Sequence, residues 1–236
     1  MRLAAATLLS VALLACRQHE EQPPPLNGDG GRSPLALLTG LPLAFGEGFA
    51  LDAPPHPVME RLQREYRVEL VDGPEQLGGA RILLAAQPRA LTAERLVALD
   101  EWVREGGRLL LLADPLLSWP SDLPLGDRQR PPYQFADTGL LHHWGLQLEP
   151  PAQDGPVLRE LAGREILTGS PGTLRATGVE CSVERGGFVA RCRLGRGRAT
   201  VIADADFLHV QVPEGLDGPT DNNLDALAAE LKRLAE

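Results

Sequence analysis

Apolar residues follow two periods along this chain. Short apolar runs recur at residues 35–38, 68–71, 81–86, 108–113 and 198–203. Such runs bounded by turn residues read as buried strands. Between them apolar positions return every three or four residues, which reads as helix. Pro57 opens one such stretch, with Met59, Leu62 and Tyr66 on one face. Proline suits the first turn, where its missing N–H has no helical partner to lose. The next helix is the best marked. Thr92 caps it, Leu91 can staple to Leu96, and Leu96, Leu99, Trp102 and Val103 form its inner stripe. Gly106-Gly107 stops it. Residues 136–144 read as helix, 146–148 as an extended segment and 164–194 as β hairpins. A last helix starts near Asn222, with Leu224, Leu227, Leu231 and Leu234 on one face. Strands alternating with helices predict an α/β fold, a parallel sheet covered on both faces with a β-hairpin insertion.

The first residues carry a different pattern. Arg2 precedes an uncharged run, residues 3–15, which as a helix spans roughly 20 Å, short of the ~30 Å hydrocarbon core. It reads as a signal-peptide core and not as a membrane span. Leu13-Leu14-Ala15-Cys16 resembles the lipobox of bacterial lipoproteins, in which the Cys becomes the first mature residue and carries the lipids. Several acyl chains on Cys16 anchor a protein firmly without a spanning helix. Lipoproteins held in the inner membrane often carry Asp after the Cys; Arg17 stands here, so the resemblance favours the outer membrane. Residues 17–33 run through Gln and Glu to Pro23-Pro24-Pro25 and Asn27-Gly28-Asp29-Gly30-Gly31. With little to bury, this composition reads as a tether with a coil reach of order 20 Å. The expected organisation is a signal at 1–15, a lipidated Cys and tether at 16–33, and one α/β domain at 34–236. Within that domain lie a Pro-rich loop at 115–135 and the β insertion at about 164–194.

Gly186-Gly187 is a two-residue hairpin loop of the kind that accepts positive φ. Folding about it pairs Val183 with Ala190, Ser182 with Arg191 and Cys181 with Cys192. Directly opposed cysteines lie near disulfide reach, so an oxidising compartment predicts a Cys181–Cys192 bridge.

Composition narrows the function classes. Lys and Arg number 23 against 32 Asp and Glu, a net charge of -9, which argues against a nucleic-acid surface. The three Cys divide into one anchor and one staple, and no three convergent ligands for a zinc site can be assembled. No phosphate-binding Walker motif occurs, so the chain is not a transporter ATPase.

Three segments together resemble the GldG-like auxiliary components of ABC-type transport systems. The first is the strand at 82–86, the helix ending Gly106-Gly107-Arg108, and the strand closing on Asp114-Pro115. The second is Leu140-Leu141-His142-His143-Trp144-Gly145-Leu146-Gln147-Leu148, and the third is Val201-Ile202-Ala203-Asp204-Ala205-Asp206-Phe207 followed by Asn222-Asn223-Leu224. The resemblance implies a flavodoxin-like layout related to class I glutamine amidotransferases. It also implies ABC transporter subunits as partners. Members of that family are usually longer and carry transmembrane helices, in whose place this chain has a lipobox.

Candidate chemistry is sparse. An amidotransferase needs a Cys on a sharp strand-to-helix turn, but the turn after the strand at 82–86 reads Ala86-Gln87-Pro88. Asp114 and Asp204 follow apolar runs, at the carboxyl ends of parallel strands where open α/β sheets bind ligands. Asp204 and Asp206 are two apart and face one way in an extended segment. These carboxylates can hold a cation, take a proton, or simply accept backbone N–H bonds in turns, as Asp commonly does. His209 and His142-His143 read as ordinary surface residues, and Gly195-Arg196-Gly197-Arg198 as a hairpin turn. Trp119 and Tyr133 in the Pro-rich loop are the candidate partner contacts, because long irregular loops on rigid scaffolds commonly carry recognition. The expectation is a non-catalytic lipid-anchored binding subunit with no cofactor. The alternative is a metal-assisted hydrolase using Asp114, Asp204 and Asp206.

Overall fold

The computed structural model describes residues 31–46, 55–209 and 219–236, so the signal segment, Cys16 and most of the tether lie outside the described residues. Residues 32–236 form one compact unit. Its elements are β1 (Ser33–Thr39), α1 (Pro57–Glu65), β2 (Tyr66–Leu70), β3 (Ile82–Ala86), α2 (Ala93–Arg104), β4 (Arg108–Leu112), α3 (Leu140–His143), β5 (Leu146–Glu149), β6 (Pro156–Leu161), β7 (Arg164–Gly169), β8 (Thr173–Ala176), β9 (Cys181–Val183), β10 (Val189–Leu194), β11 (Gly197–Ile202) and α4 (Asp221–Ala235).

The main sheet has seven strands in the order β2-β1-β3-β4-β11-β10-β9. Strands β2, β1, β3, β4 and β11 run parallel, and β10 and β9 add antiparallel at one edge. This is a flavodoxin-like α/β fold. The central strands are apolar throughout because both faces are buried: every residue of β3 is, and so are Leu109 to Leu112. On one face α1 and α4 cover Leu35, Leu37, Leu84, Leu110 and Ile202. On the other, α2 and the segment around Trp144 cover Leu83, Leu109, Leu111 and Val201. Leu227, Leu231 and Leu234 bury the inner stripe of α4, each contributing on the order of 2 kcal/mol. Hydroxyls cap both long helices: Thr92 accepts from the Arg95 N–H, and Thr220 accepts from the Asn223 N–H.

Three boundaries depart from the sequence pattern. The helix expected over 136–144 shrinks to α3. The Asp137 carboxylate takes the Gly139 and Leu141 N–H groups, and Gly139 is left-handed at φ 111°, so the chain turns before a helix can start. β2 starts at Tyr66, directly after α1. The β insertion begins at Pro156, because β6 is half solvated and carries no continuous apolar run. β6 pairs with β7 and β5 with β8 as separate two-stranded ladders.

The β9–β10 hairpin has the register expected from Gly186-Gly187, with Val183 opposite Ala190, Ser182 opposite Arg191 and Cys181 opposite Cys192. Cys181 and Cys192 are disulfide-bonded and both buried. A bridge closing a loop of this size restricts the unfolded chain by roughly 2–3 kcal/mol. The Cys181→Ser, Cys192→Ser double variant is expected to lose about that much in urea unfolding, and an unchanged midpoint would contradict it.

Candidate functional site

The site grows from strand ends. β4 runs out into Ala113 and Asp114, and β11 into Ala203, Asp204 and a 3-10 turn, Asp206–Leu208. β4 and β11 are parallel neighbours, so their carboxyl ends bring Asp114 beside Asp204 and Asp206. One oxygen from each of the three lies within 4.8 Å of the others, and all three residues are at most 1% exposed.

Most of these oxygens are committed to the fold. Asp114 Oδ1 accepts from the Leu116 N–H at 2.8 Å and Oδ2 from the Ala205 N–H at 3.0 Å, tying the β4 end to the β11 end. Asp206 accepts from the Ser118 N–H at 2.9 Å and the Ser118 hydroxyl at 2.7 Å, pinning the Pro-rich loop. Asp204 Oδ1 accepts from the Thr168 hydroxyl of β7 and from the Phe207 N–H at 3.1 Å. Asp204 Oδ2 is buried with no partner among the described residues.

Three carboxylates this close and this dry cannot all remain charged. Burial, and then Asp206, push Asp114 up to about 7. Burial pushes Asp206 up to about 6, with the Ser118 hydrogen bonds opposing. Asp204 is raised well above the usual carboxylate range by burial, then by Asp114 and Asp206. At neutral pH the cluster must therefore hold protons or a cation. An all-oxygen donor set suits a hard divalent ion.

Two further residues complete the network, and neither was recognised in the sequence. Gln87 follows β3 in the left-handed region at φ 44° and is fully buried. Its Oε1 accepts the Asp114 N–H at 2.8 Å, and its Nε2 donates to the carbonyls of Asp114 at 3.0 Å and Pro132 at 3.2 Å. Asn223, in the first turn of α4, exchanges bonds with both the N–H and the C=O of Leu167 and donates to the Phe207 carbonyl at 2.7 Å. A polar residue straight after an apolar run is the one signal that could have found Gln87, and Asn223 stood only among the residues quoted for the GldG-like resemblance.

The Pro-rich loop does not present both of its aromatics. Tyr133 is 68% exposed, but Trp119 is 8% exposed and stacks on His209 with ring centroids 4.9 Å apart. His56 packs on the same indole at 5.5 Å. Trp119 therefore belongs to the core, and of the two candidate contacts Tyr133 is the accessible one. His209, read as an ordinary surface residue, is instead part of this stack. Burial, and then His209, lower the His56 imidazole to about 4, so it stays neutral in the folded protein. A cavity of about 300 Å³ opens where the strand order reverses at β1, between Gly40, Pro42, Arg89 and Arg128. No motif in the sequence pointed to it.

No protein-family model and no curated protein sequence matches the chain. Among solved structures it is similar to cytoplasmic protein STM1381 from Salmonella typhimurium LT2, at 11% identity and a TM-score of 0.53, covering 86% of this chain and 99% of that one. It is also similar to cytoplasmic protein STM3548 from Salmonella typhimurium, at 10% identity and a TM-score of 0.50, covering 85% and 98%. A GH42 β-galactosidase from G. stearothermophilus aligns at 15% identity and a TM-score of 0.49. This chain spans 30% of that enzyme's length. At these identities the likeness establishes the fold and nothing finer.

Proposed function

We propose that this chain is a non-catalytic periplasmic lipoprotein, anchored through Cys16, whose α/β domain is an accessory or binding subunit of an ABC-type transport or envelope system. The observation that carries the non-catalytic part is Gln87. It stands at the strand-to-helix turn where the amidotransferase relatives of this layout place a nucleophile. A carboxamide is no nucleophile, and this one is committed to three backbone groups. Asp114 and Asp206 are likewise committed as braces for the Pro-rich loop. The lipobox supports the anchor, the Cys181–Cys192 bridge suits an oxidising compartment, and the partnership with transporter subunits rests on the GldG-like resemblance.

Metabolic labelling with a radioactive fatty acid tests the anchor. The wild-type chain is expected to take up label and sediment with membranes, and Cys16→Ser to lose both properties. An unlabelled wild type ends the lipoprotein reading. Co-purification of the intact protein tests the partner, with transporter subunits expected in stoichiometric yield.

The unpartnered Asp204 Oδ2 favours a second reading, a metal-assisted hydrolase built on Asp114, Asp204 and Asp206. It requires that Mg²⁺, Ca²⁺ or Mn²⁺ raise the melting temperature of the domain. A flat response to all three removes it.

A further inference from the structure

The amino edge of the sheet, opposite the Asp cluster, carries an uncompensated row of arginines. Arg108 of β4 is paired in register with Arg198 of β11, and Arg198 with Arg193 of β10. The three side chains therefore share one face and one cross-strand row, on strands about 4.8 Å apart. Arg81 precedes β3 and lines the same cleft as Arg108, beside the row rather than in its register. Arg196 lies in the turn between β10 and β11, and Lys232 and Arg233 in the last turn of α4.

Like charges placed directly opposite one another destabilise a sheet. The next row inward shows the usual remedy: Arg191 forms a two-pronged pair with the buried Glu230, 2.8 Å at each contact. The outer row has no such remedy. Among the described residues none of Arg81, Arg108, Arg193 and Arg198 has an ion pair or a side-chain hydrogen bond. The nearby carboxylates are already engaged, Glu180 by Arg104 and Glu230 by Arg191 and Arg233. Arg108 is held below the usual guanidinium range by burial, then by Arg198 and Arg81. Open clefts flank the row, about 460 Å³ beside Arg193, Arg198 and Arg233 and about 450 Å³ beside Arg81 and Arg108. A chain with a net charge of -9 and 23 cations in all has concentrated unpaired ones here.

The entry point of the chain gives the row an address. Ser33 and Pro34, where β1 begins, line the same cleft as Arg81 and Arg108. The residues leading back to Cys16 therefore join the domain at this edge, which on the lipoprotein reading is the edge nearest the anchor. We propose that the arginine row is a membrane-facing surface that docks the amino edge of the sheet onto anionic phosphate headgroups. The opposite edge, with Tyr133 and the 300 Å³ crevice at β1, then points away from the membrane toward partners. This rests on the lipoprotein reading for its orientation and on the row alone for its binding.

Residues 32–236 form a compact unit with their own core, so this soluble domain can be tested on vesicles. It is expected to sediment with vesicles of phosphatidylcholine containing 30% phosphatidylglycerol, but not with pure phosphatidylcholine, and to be released by 0.5 M salt. Each arginine near an anionic surface is worth about fivefold in partitioning. The Arg81→Gln, Arg108→Gln, Arg198→Gln triple variant should therefore bind on the order of a hundredfold more weakly, with a melting temperature unchanged or higher. The corresponding triple lysine variant should still bind, as should Arg95→Gln with Arg175→Gln, whose arginines are paired elsewhere. Absent binding, or equal binding to both vesicle types, overturns the proposal. So does full retention by the glutamine variant. Inorganic phosphate at 10 mM that displaces the domain at constant ionic strength also overturns it, showing a discrete anion site. Failure of fatty-acid labelling at Cys16 would remove the tether while leaving the vesicle result intact, so the two readings fail separately.

Discussion

The domain is expected to become more stable as the pH is lowered from 8 to 6.5, by about 1 kcal/mol from Asp114 and Asp206 with Asp204 adding in the same direction, against the usual acid lability of carboxylate-rich folds. The cause is the buried trio Asp114, Asp204 and Asp206. In the folded protein Asp114 stands at about 7, Asp206 at about 6 and Asp204 well above the usual carboxylate range, whereas unfolded carboxylates titrate near 4. Between those limits the folded protein holds protons that the unfolded chain has released. Stability then falls as pH rises, by about 1.4 kcal/mol per pH unit for each extra proton held. Below about pH 4 both states are protonated and the dependence vanishes. His56 has the opposite sign. Its folded pKa is about 4, below an unfolded value of 6.5, so it costs stability only as the pH falls below 6.5. The window from 8 to 6.5 therefore isolates the carboxylates.

Asp204→Asn sharpens the same prediction. The amide oxygen still accepts from the Thr168 hydroxyl and the Phe207 N–H, while an amide N–H replaces the unpartnered Oδ2. The variant is expected to gain about 2 kcal/mol at pH 8 and to show a shallower pH dependence than the wild type. Chemical denaturation at pH 6.5, 7 and 8 measures both. Superimposable pH profiles for wild type and variant would show that the cluster holds no protons. A Mg²⁺-dependent gain at pH 8 that disappears in the variant would assign the neutralising charge to a cation instead.

What the sequence made legible follows from range. The apolar runs of β1, β3, β4 and β11 announced themselves because a sheet buried on both faces needs no alternation. The β9–β10 register was readable because Gly186-Gly187 pins a local hairpin, and with it the Cys181–Cys192 pairing. Asp114, Asp204 and Asp206 were visible as polar residues ending apolar runs. Contacts that depend on strand order were not readable. Gln87 meets Pro132 across 45 residues, and Asn223 meets Leu167 across 56. The arginine row emerges only when β11 is known to lie beside β4, since nothing local relates Arg108 to Arg198. β6 escaped notice because its exposed face dilutes the apolar signal, and Trp119 was read as outward because a Pro-rich stretch hides which of its side chains turn in.

Gln87→Ala is expected to be the most damaging single change at the carboxyl edge, at about 3–5 kcal/mol. Removing the amide strips the buried Asp114 N–H of its acceptor and takes a donor from each of the Asp114 and Pro132 carbonyls. The Asp114 carbonyl keeps the Phe135 N–H, so the loss falls mainly on the Asp114 N–H and on Pro132, with a cavity term added. Gln87→Gly separates side chain from backbone. At φ 44° a non-glycine residue is strained by roughly 1 kcal/mol, so Gly should be less destabilised than Ala by about that amount. Ordinary helix or strand positions show the reverse order. Both variants should also loosen the loop that Pro132 anchors, and tryptic cleavage at Arg128 or Arg130 should quicken before global unfolding begins. An alanine variant within 1 kcal/mol of wild type, with unchanged proteolysis, would mean that Gln87 is no brace.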